Sequence, residues 1–235
     1  MVSEEFKKEL DEIKKRYARR KSVPKNLYNP LNTDVIFRRQ EFERTLIKIL
    51  KDNYSYNLKN LKLLEIGCGS GKNLLKFIEL GFEPKNIIGN ELLIERAETA
   101  RKILPKEVDI IEGDALKLSF TPNSFDIVFQ STVFTSILDT NFQKELARKM
   151  WKFVKPGGGI LWYDFIYNNP QNSNVRKVTL KEIKQLFPIG EIKYWRLTLA
   201  PPISRVVTKI HPNFYHLFNL FPFLRTHILC WIKKI

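Results

Sequence analysis

The spacing of apolar residues changes at Leu61, and this change limits the folds open to the chain more than any other feature. Upstream, residues 4–21 and 35–52 repeat apolar side chains every three to four positions, which predicts two helices. Downstream, short apolar runs such as LKLLEIG alternate with helical stretches such as GKNLLKFIELG as far as Phe165. Alternating strands and helices are typical of an α/β fold, a Rossmann-like, mostly parallel sheet with helices on both faces.

The C-terminal part of the chain has a weaker pattern. It contains a helical stretch, a strand and a segment with four prolines that we interpret as an insertion before the last strand, with a helix near NFYHLFNLF. Asp34 or Thr33 is expected to cap the second N-terminal helix. We therefore predict a seven-stranded sheet. The chain divides into an N-terminal helical cover (1–60), a core (61–199), an apolar lid insertion (200–226) and the last strand of the core (227–235).

The composition of the 235 residues is that of a globular protein, with 43% hydrophobic and 28% charged residues. Cys68 and Cys230 are too few for a disulfide framework, which favours a reducing compartment. The start, MVSEEFKKEL, is too charged for a signal peptide, and no apolar run reaches the roughly 18 residues that a membrane-spanning helix needs. We therefore expect a cytoplasmic protein, with contact to the inner face of the membrane left open.

The net charge of +15 is unevenly distributed. Residues 1–60 contain 15 basic and 9 acidic side chains, residues 61–175 contain 14 of each, and residues 176–235 contain 11 and 2. A neutral middle with basic ends favours an anionic partner: nucleic acid, a phosphorylated substrate or a membrane surface. A Lys-rich surface without a partner is the alternative.

A glycine-rich loop follows the first predicted strand and precedes a helix, where missing side chains let the backbone approach a ligand; its glycines are Gly67, Gly69 and Gly71. Lys72 breaks the dinucleotide pattern GxGxxG, and Asn73 breaks the phosphate-loop pattern GxxxxGK[ST]. Two carboxylates accompany the loop instead, Glu65 before it and Glu91 at the end of the next strand. Carboxylates suit a charged amine and a ribose better than a pyrophosphate.

From about Leu61 to Phe165 the chain resembles the class I S-adenosylmethionine-dependent methyltransferases. The resemblance implies that Glu65 to Gly71 holds the methionine part of S-adenosylmethionine, and that Glu91 binds both ribose hydroxyls. It further implies an apolar contact to the adenine from Leu92. The alternative is a Rossmann-like sheet with another ligand or none.

Later motifs extend the resemblance. Gly113, Asp114 and Ala115 look like the adenine site of the family, and SFDIVFQS is similar to its fourth motif, which places Gln130 under the reacting methyl group. KPGGG matches the turn before the fifth strand.

Several acceptors are disfavoured by comparison with the family. Members that methylate exocyclic base amines usually have Asn/Asp-Pro-Pro-aromatic after the fourth strand, whereas this chain has Gln130 to Val133. Carbon-5 pyrimidine enzymes have their nucleophilic cysteine in that region, but Cys68 and Cys230 lie elsewhere. Gln130 also replaces the metal-binding aspartate of catechol methyltransferases, so no metal is expected.

For an oxygen acceptor, Asp164 at the end of the fifth strand is our candidate general base, with His211 as the second choice. A structural ion pair or loop cap is the alternative role for Asp164. Donors for a sugar, phosphate or carboxylate lie nearby in the sequence; the predicted acceptor-binding residues are Tyr163, Asn168, Asn169 and Arg176.

The lid segment is rich in aromatic and aliphatic residues and poor in charges. It either packs on the domain or dips into a membrane interface, with basic residues at anionic headgroups, namely Lys209, Arg225, Lys233 and Lys234. Five short stretches, RYARR, YNP, RRQEFER, NNPQN and FPFLRTH, resemble methyltransferases found with bacterial surface-polysaccharide synthesis. That resemblance implies candidate phosphate contacts at Arg19, Arg20, Arg38 and Arg39.

The sequence thus predicts S-adenosylmethionine-dependent O-methylation of a small-molecule, glycan or lipid-linked acceptor. The first alternative is ribose 2′-O-methylation of RNA held by the basic flanks, whose binding falls steeply with salt. The second is a non-catalytic interaction protein that binds the cofactor without turnover.

Overall fold

A computed structural model describes residues 4–19, 25–168 and 172–235 of the chain. One sheet contains seven strands: β1 (Leu63–Ile66), β2 (Ile87–Glu91), β3 (Asp109–Glu112), β4 (Phe125–Ser131), β5 (Val154–Phe165), β6 (Glu191–Leu199) and β7 (Arg225–Lys233). Their order across the sheet is β3-β2-β1-β4-β5-β7-β6. Neighbours from β3 to β5 are parallel, whereas β7 is antiparallel to both β5 and β6. The predicted mostly parallel, seven-stranded α/β sheet is confirmed.

Helices cover both faces of this sheet, as predicted. The helices of the described residues are α1 (Glu4–Arg19), α2 (Thr33–Tyr54), α3 (Lys72–Glu79), α4 (Ile94–Ile103), α5 (Thr140–Phe153), α6 (Leu180–Leu186), α7 (Pro201–Ile210) and α8 (Phe214–Asn219). Successive strand residues point to opposite faces. Leu63 therefore packs in one core with Leu46 of α2 and Leu74 of α3, while Leu64 packs in another with Leu146 of α5.

The strand register brings the carboxyl ends of four strands to one edge. Ile66 at the end of β1 pairs with Asn90 on β2 and with Gln130 on β4, and Gln130 pairs with Trp162 on β5. In open parallel sheets, ligands bind outside this edge. The sheet thus places the residues that follow these strands at a common site.

The start of α2 differs from the prediction that Thr33 or Asp34 caps it. Asn32 is the N-cap residue, and its side chain makes no capping hydrogen bond. The Asp34 carboxylate is buried and accepts a hydrogen bond from Arg38 Nη2 at 2.8 Å. The Asp34 carboxylate thus pairs with a side chain one helical turn later and does not cap the free backbone N–H groups at the start of α2.

The lid contains more helix than its prolines suggest. Pro201 and Pro202 occupy the first turn of α7. Backbone N–H groups in a first turn have no acceptor within the helix, so the missing N–H of proline removes no helical hydrogen bond there. α8 falls in the predicted segment NFYHLFNLF. The last strand starts at Arg225 instead of residue 227, because Arg225 already pairs with Leu199 of β6.

Candidate functional site

The loop after β1 requires its glycines. Gly67, Gly69 and Gly71 have φ angles of 67°, 59° and 81°, in the left-handed region that favours glycine. A Cβ atom on Gly67 would lie 2.5 Å from Cγ2 of Val133, and one on Gly71 would lie 2.7 Å from Cδ1 of Leu104. The backbone of this loop is therefore held close to the elements that surround it.

The end of β2 is tied to the loops on both sides. The Glu91 carboxylate is buried and accepts hydrogen bonds from the backbone N–H groups of Gly69 at 2.8 Å and Leu93 at 2.9 Å. The Asn90 amide donates to the carbonyl oxygens of Ile111 and Gly113 at 3.1 and 3.0 Å. Each carboxylate oxygen has a second lone pair, so Glu91 retains acceptor capacity for a diol.

Glu65, on β1, is fully buried. Asn73 Nδ2 donates to its Oε1 at 2.7 Å, while Oε2 has no hydrogen-bond partner among the residues that the structure describes. Burial, reinforced by the Glu91 charge and opposed by the Asn73 hydrogen bond, raises the pKa of Glu65 to about 8. A cation brought to Oε2 would favour the carboxylate form.

Asp114, which follows β3, is the third carboxylate of the site. Its Oδ1 accepts from Leu116 N at 2.8 Å and caps a short 3-10 turn at Ala115–Lys117. Its Oδ2 is buried and, within the described ranges, unpartnered. One carboxylate thus positions the turn while retaining a free acceptor oxygen.

Glu91 and Asp114 line a cleft that is partly open to solvent. Its walls include Gly67 of the loop predicted to hold the methionine part, together with the four residues predicted to bind the ribose and the adenine: Glu91, Leu92, Asp114 and Ala115. The other residues predicted to bind the cofactor are not among those that line it: Glu65, Gly69, Gly71 and Gln130. Helix α1 forms the opposite wall with Leu10, Ile13 and Tyr17. The structure therefore brings these predicted positions together beneath the N-terminal helix.

A buried ion pair fastens α1 over the cleft. Arg16 Nη2 lies 2.6 Å from Glu9 Oε1 and donates to the Ser136 carbonyl at 3.3 Å. The same Glu9 oxygen accepts from Leu138 N at 2.8 Å. The segment after β4 thus holds α1 in place. The spacing of apolar residues within α1 does not predict these contacts.

The predicted residues on β4 and β5 contact each other and lie beside the cleft. Gln130 is buried; its Oε1 accepts from Val133 N at 3.1 Å, and its Nε2 lies 3.5 Å from the Tyr163 carbonyl. Asp164 is fully buried and accepts from the backbone N–H groups of Thr135 and Phe165, both at 3.2 Å. Burial raises the pKa of Asp164 to about 7.

The predicted acceptor-binding residues are separated in the structure. Arg176 donates to Glu182 and to Gln143 Oε1, so its guanidinium has partners within the chain. Asn168 Oδ1 accepts from Lys177 N at 2.9 Å, and Asn169 lies outside the described residues. His211, the second candidate base, is exposed on the lid and accepts from Asn213 N.

Within the described residues, the predicted phosphate contacts lie on two helices, α1 and α2. Arg39 is exposed, Arg38 pairs with Asp34, and Arg20 lies outside the described ranges. Arg19 ends α1.

Two residues that contact Tyr163 or its hydrogen-bond partner Thr198 were not identified from the sequence. His227 stacks on the Tyr163 ring with a centroid separation of 5.2 Å, and burial together with the Arg38 charge lowers the pKa of His227 to about 3. Glu41 accepts from Thr198 N at 2.9 Å and from the Tyr215 hydroxyl at 3.0 Å. Because β7 is antiparallel to β5, its first residues lie at the edge of the sheet where β5 ends, and His227 pairs with Phe165 there. An antiparallel last strand would therefore have predicted His227 near the site.

Comparison with known proteins agrees with this geometry. Residues 64–162 match the family model described as "Methyltransferase domain". Sterol 24-C-methyltransferase of Clavispora lusitaniae is 27% identical over 123 residues, which cover 49% of this chain and 31% of that protein. The ubiquinone/menaquinone biosynthesis C-methyltransferase UbiE of Pseudomonas fluorescens is 27% identical over 122 residues, covering 50% and 46%. The matches span about a third to a half of these relatives' lengths.

Solved structures share the fold. An S-adenosylmethionine-dependent methyltransferase from Mesorhizobium loti has a TM-score of 0.57 at 16% identity, covering 75% of this chain and 92% of that one. Phosphoethanolamine N-methyltransferase 2 of Haemonchus contortus, solved with S-adenosyl-L-methionine, has a TM-score of 0.57 at 19% identity, covering 82% and 53%. Residues 64–162 thus match a methyltransferase domain in sequence, and the sheet around them shares its fold with solved S-adenosylmethionine-dependent methyltransferases.

Proposed function

We propose that this protein transfers a methyl group from S-adenosylmethionine to an oxygen of a small-molecule, glycan or lipid-linked acceptor. The observation that supports the cofactor half is the pair of buried carboxylates, Glu65 and Asp114, that each keep one oxygen without a partner in the described chain. Unpaired buried carboxylate oxygens are costly, so they favour a ligand with donors at both positions.

The residues of the site fit the cofactor. Glu65 would hold its ammonium group, Glu91 its ribose hydroxyls and Asp114 the exocyclic amine of its adenine. Leu92 and Ala115 would give the adenine an apolar contact. When bound, the cofactor supplies an electrophilic methyl group on a sulfonium.

The remaining work falls to the chain itself: it must align the acceptor oxygen, exclude water and accept a proton. Helix α1 covers the cleft and would exclude water from it. Asp164 remains our proposed base, because a pKa of about 7 suits proton acceptance at neutral pH. Since Thr135 N now occupies one of its oxygens, this role requires the Phe134–Ser136 turn to move when the acceptor binds.

The cysteines support an acceptor chemistry without a covalent enzyme intermediate. Cys68 and Cys230 are free and buried, and burial raises the pKa of each thiol well above its usual range. A buried, protonated thiol is a poor nucleophile. Free thiols also accord with our proposal of a cytoplasmic location.

A carbon acceptor is the second candidate, because both curated relatives reported above are named as C-methyltransferases. Carbon methylation of a polarised double bond does not begin with deprotonation of a hydroxyl. The two candidates therefore differ in the product and in the pH dependence of the reaction.

Calorimetry with S-adenosylmethionine, its demethylated product and NAD tests the cofactor half. We expect micromolar binding of the first two and none of NAD. Absence of binding to either sulfur compound would overturn the proposal.

Acceptors are then screened with isotope-labelled S-adenosylmethionine against lipid, glycan and RNA fractions, followed by NMR of the labelled product. A methoxy carbon supports the proposal, and a carbon-bound methyl group selects the second candidate. Label in RNA that disappears steeply with added salt would indicate ribose methylation instead. Cofactor binding without turnover on any fraction would indicate a non-catalytic role.

A further inference from the structure

The lid leaves a cluster of large apolar side chains in solvent. Val206 and Ile210 of α7 are 60% and 69% exposed, and Leu217 of α8 is 50% exposed. The turn after α8 adds three residues that are 46% to 68% exposed. We call these six residues the lid patch: Val206, Ile210, Leu217, Leu220, Phe221 and Phe223.

The lid patch is not the surface by which the lid packs on the domain. The inward residues of α7 and α8 are Val207 and Tyr215, which are buried together with Leu199 of β6. The lid thus has an inner apolar face that is covered and an outer one that is not. Exposed apolar clusters of this kind mark interaction surfaces in soluble proteins.

All charged side chains after Glu191 in the sequence are basic. No Asp or Glu follows Glu191 in the sequence, whereas seven basic residues do. Arg205 and Lys209 lie on α7, and Arg196 and Arg225 lie toward the ends of β6 and β7 that adjoin the lid. The other three are at the far end of these strands: Lys193, Lys233 and Lys234. Lys209 and Arg196 are exposed, and neither forms an ion pair with a carboxylate among the residues described. The exposed side of the lid and the adjoining part of β6 thus have two cations without an ion-pair partner among the described residues, whereas the carboxylates that contact the lid, Asp34 and Glu41, are buried beneath it.

Hydrogen bonds connect the lid to the edge of the sheet near the proposed base. Tyr215 and Asn219 of α8 donate to Glu41 at 3.0 and 2.8 Å, and Thr198 N donates to the same carboxylate at 2.9 Å. Thr198 Oγ1 in turn lies 2.8 Å from the Tyr163 hydroxyl. A surface that docks through the lid patch would therefore lie beside the carboxyl edge of β5.

We propose that the lid patch docks on the surface of an anionic lipid bilayer. The apolar side chains enter the boundary between headgroups and acyl chains, and the neighbouring lysines and arginines contact the headgroups. Charge complementarity selects this partner over a neutral one. In the described part of the chain no helix has the length and apolarity to cross a bilayer. This inference does not depend on methyl transfer.

Vesicle flotation tests the proposal with the full chain. We expect at least tenfold tighter binding to vesicles of phosphatidylglycerol and phosphatidylcholine than to phosphatidylcholine alone. Raising NaCl from 0.1 to 0.5 M should weaken the binding several-fold, because headgroup contacts are screened. The variant Leu220→Glu/Phe223→Glu should lose at least tenfold.

The control is Ile189→Glu, which places one glutamate, where the lid variant places two, on an apolar residue that is 72% exposed outside the lid. It should bind vesicles as the wild type does. Cofactor affinity and near-ultraviolet circular dichroism show whether each variant is folded. Lys209→Glu provides an independent test, with an expected loss of at least threefold, should the double variant fail to fold.

Absence of wild-type binding to anionic vesicles would overturn the proposal, as would equal binding to neutral ones. Equal loss in Ile189→Glu and the lid variant would also overturn it. Sedimentation equilibrium adds a further check. A dimer that Leu220→Glu/Phe223→Glu dissociates, without vesicle binding, would assign the lid patch to a second copy of the chain instead.

Discussion

The Glu91 carboxylate accepts a hydrogen bond from the backbone N–H of Gly69 at 2.8 Å, which joins the end of β2 to the glycine loop after β1. The residues are 22 positions apart, and the parallel register of the two strands brings them together. A group that binds the ribose in our proposal therefore also shapes the loop proposed to hold the methionine part.

Replacement of Glu91 by Ala should weaken S-adenosylmethionine binding by roughly 1 to 3 kcal/mol, because the variant loses an acceptor and leaves Gly69 N without its partner. Glu112→Ala is the control, since Glu112 lies opposite Glu91 on β3 but is exposed. Calorimetry measures both. Wild-type affinity in Glu91→Ala would contradict the site assignment.

Two replacements of Asp114 separate ligand binding from capping. Asp114→Asn keeps an oxygen for Leu116 N but presents an amide donor in place of the free oxygen, so cofactor affinity should fall while stability is nearly unchanged. Asp114→Ala should lose affinity and, in addition, about 1 kcal/mol of stability through the lost cap. Calorimetry and urea unfolding give the two quantities. Equal affinity in wild type and both variants would exclude Asp114 from the cofactor site.

Glu65 should make the stability of the cofactor-free protein depend on pH. Its pKa is about 8 in the folded chain against 4.5 in the reference state, so between these values the folded state binds more protons than the unfolded state. Stability from this group is therefore fully present below pH 4.5 and falls as pH rises to 8, by up to about 1.4 kcal/mol per pH unit.

The variant Glu65→Gln isolates this effect. The difference in unfolding free energy between wild type and variant, measured in urea at pH 5, 6.5 and 8, should shift steadily against the wild type. A difference that is constant across this range would show that Glu65 is ionised in the folded state.

Loosening α1 should speed release of the cofactor. Arg16→Ala removes the ion pair with Glu9 and the bond to the Ser136 carbonyl, so the dissociation rate should rise about tenfold, equivalent to roughly 1.4 kcal/mol. Lys15→Ala is the matched control, because Lys15 forms an ion pair with Glu12 at the exposed surface. Rapid-mixing displacement of labelled cofactor measures the rate. Identical rates in the two variants would argue against α1 as a cover.

Asp164 predicts the pH profile of turnover. A base with a pKa near 7 must be deprotonated to act, so kcat/KM should rise through pH 7 and then level off. Asp164→Asn should lower the rate roughly 10²- to 10⁴-fold and flatten the profile, while cofactor affinity is retained. Asp126→Asn, at the far end of β4 and paired with Lys155, is the control. A steep pH profile that persists in Asp164→Asn would assign the proton to another group.

The local pattern of residues was sufficient to predict the architecture. Apolar residues recur with different periods in strands and helices, and a glycine loop between a strand and a helix is typical of few ligand sites. The period change at Leu61, the alternation to Phe165 and the order of the motifs predicted a sheet whose seven strands and parallel core the structure confirms. Where the prolines misled, as at Pro201 and Pro202, the local rule was incomplete: proline disrupts a helix interior but suits its first turn.

The sequence by itself determined the fold class and the positions of the carboxylates at the ends of β1 and β2, because these depend on short-range spacing. Only the tertiary structure decided which groups meet. Arg16 donates a hydrogen bond to Ser136, 120 positions away, and Tyr215 donates one to Glu41, 174 positions away. The Arg176 guanidinium donates to Glu182 and Gln143. Such contacts depend on how helices pack across the sheet, and residue spacing within one segment contains no information about that packing.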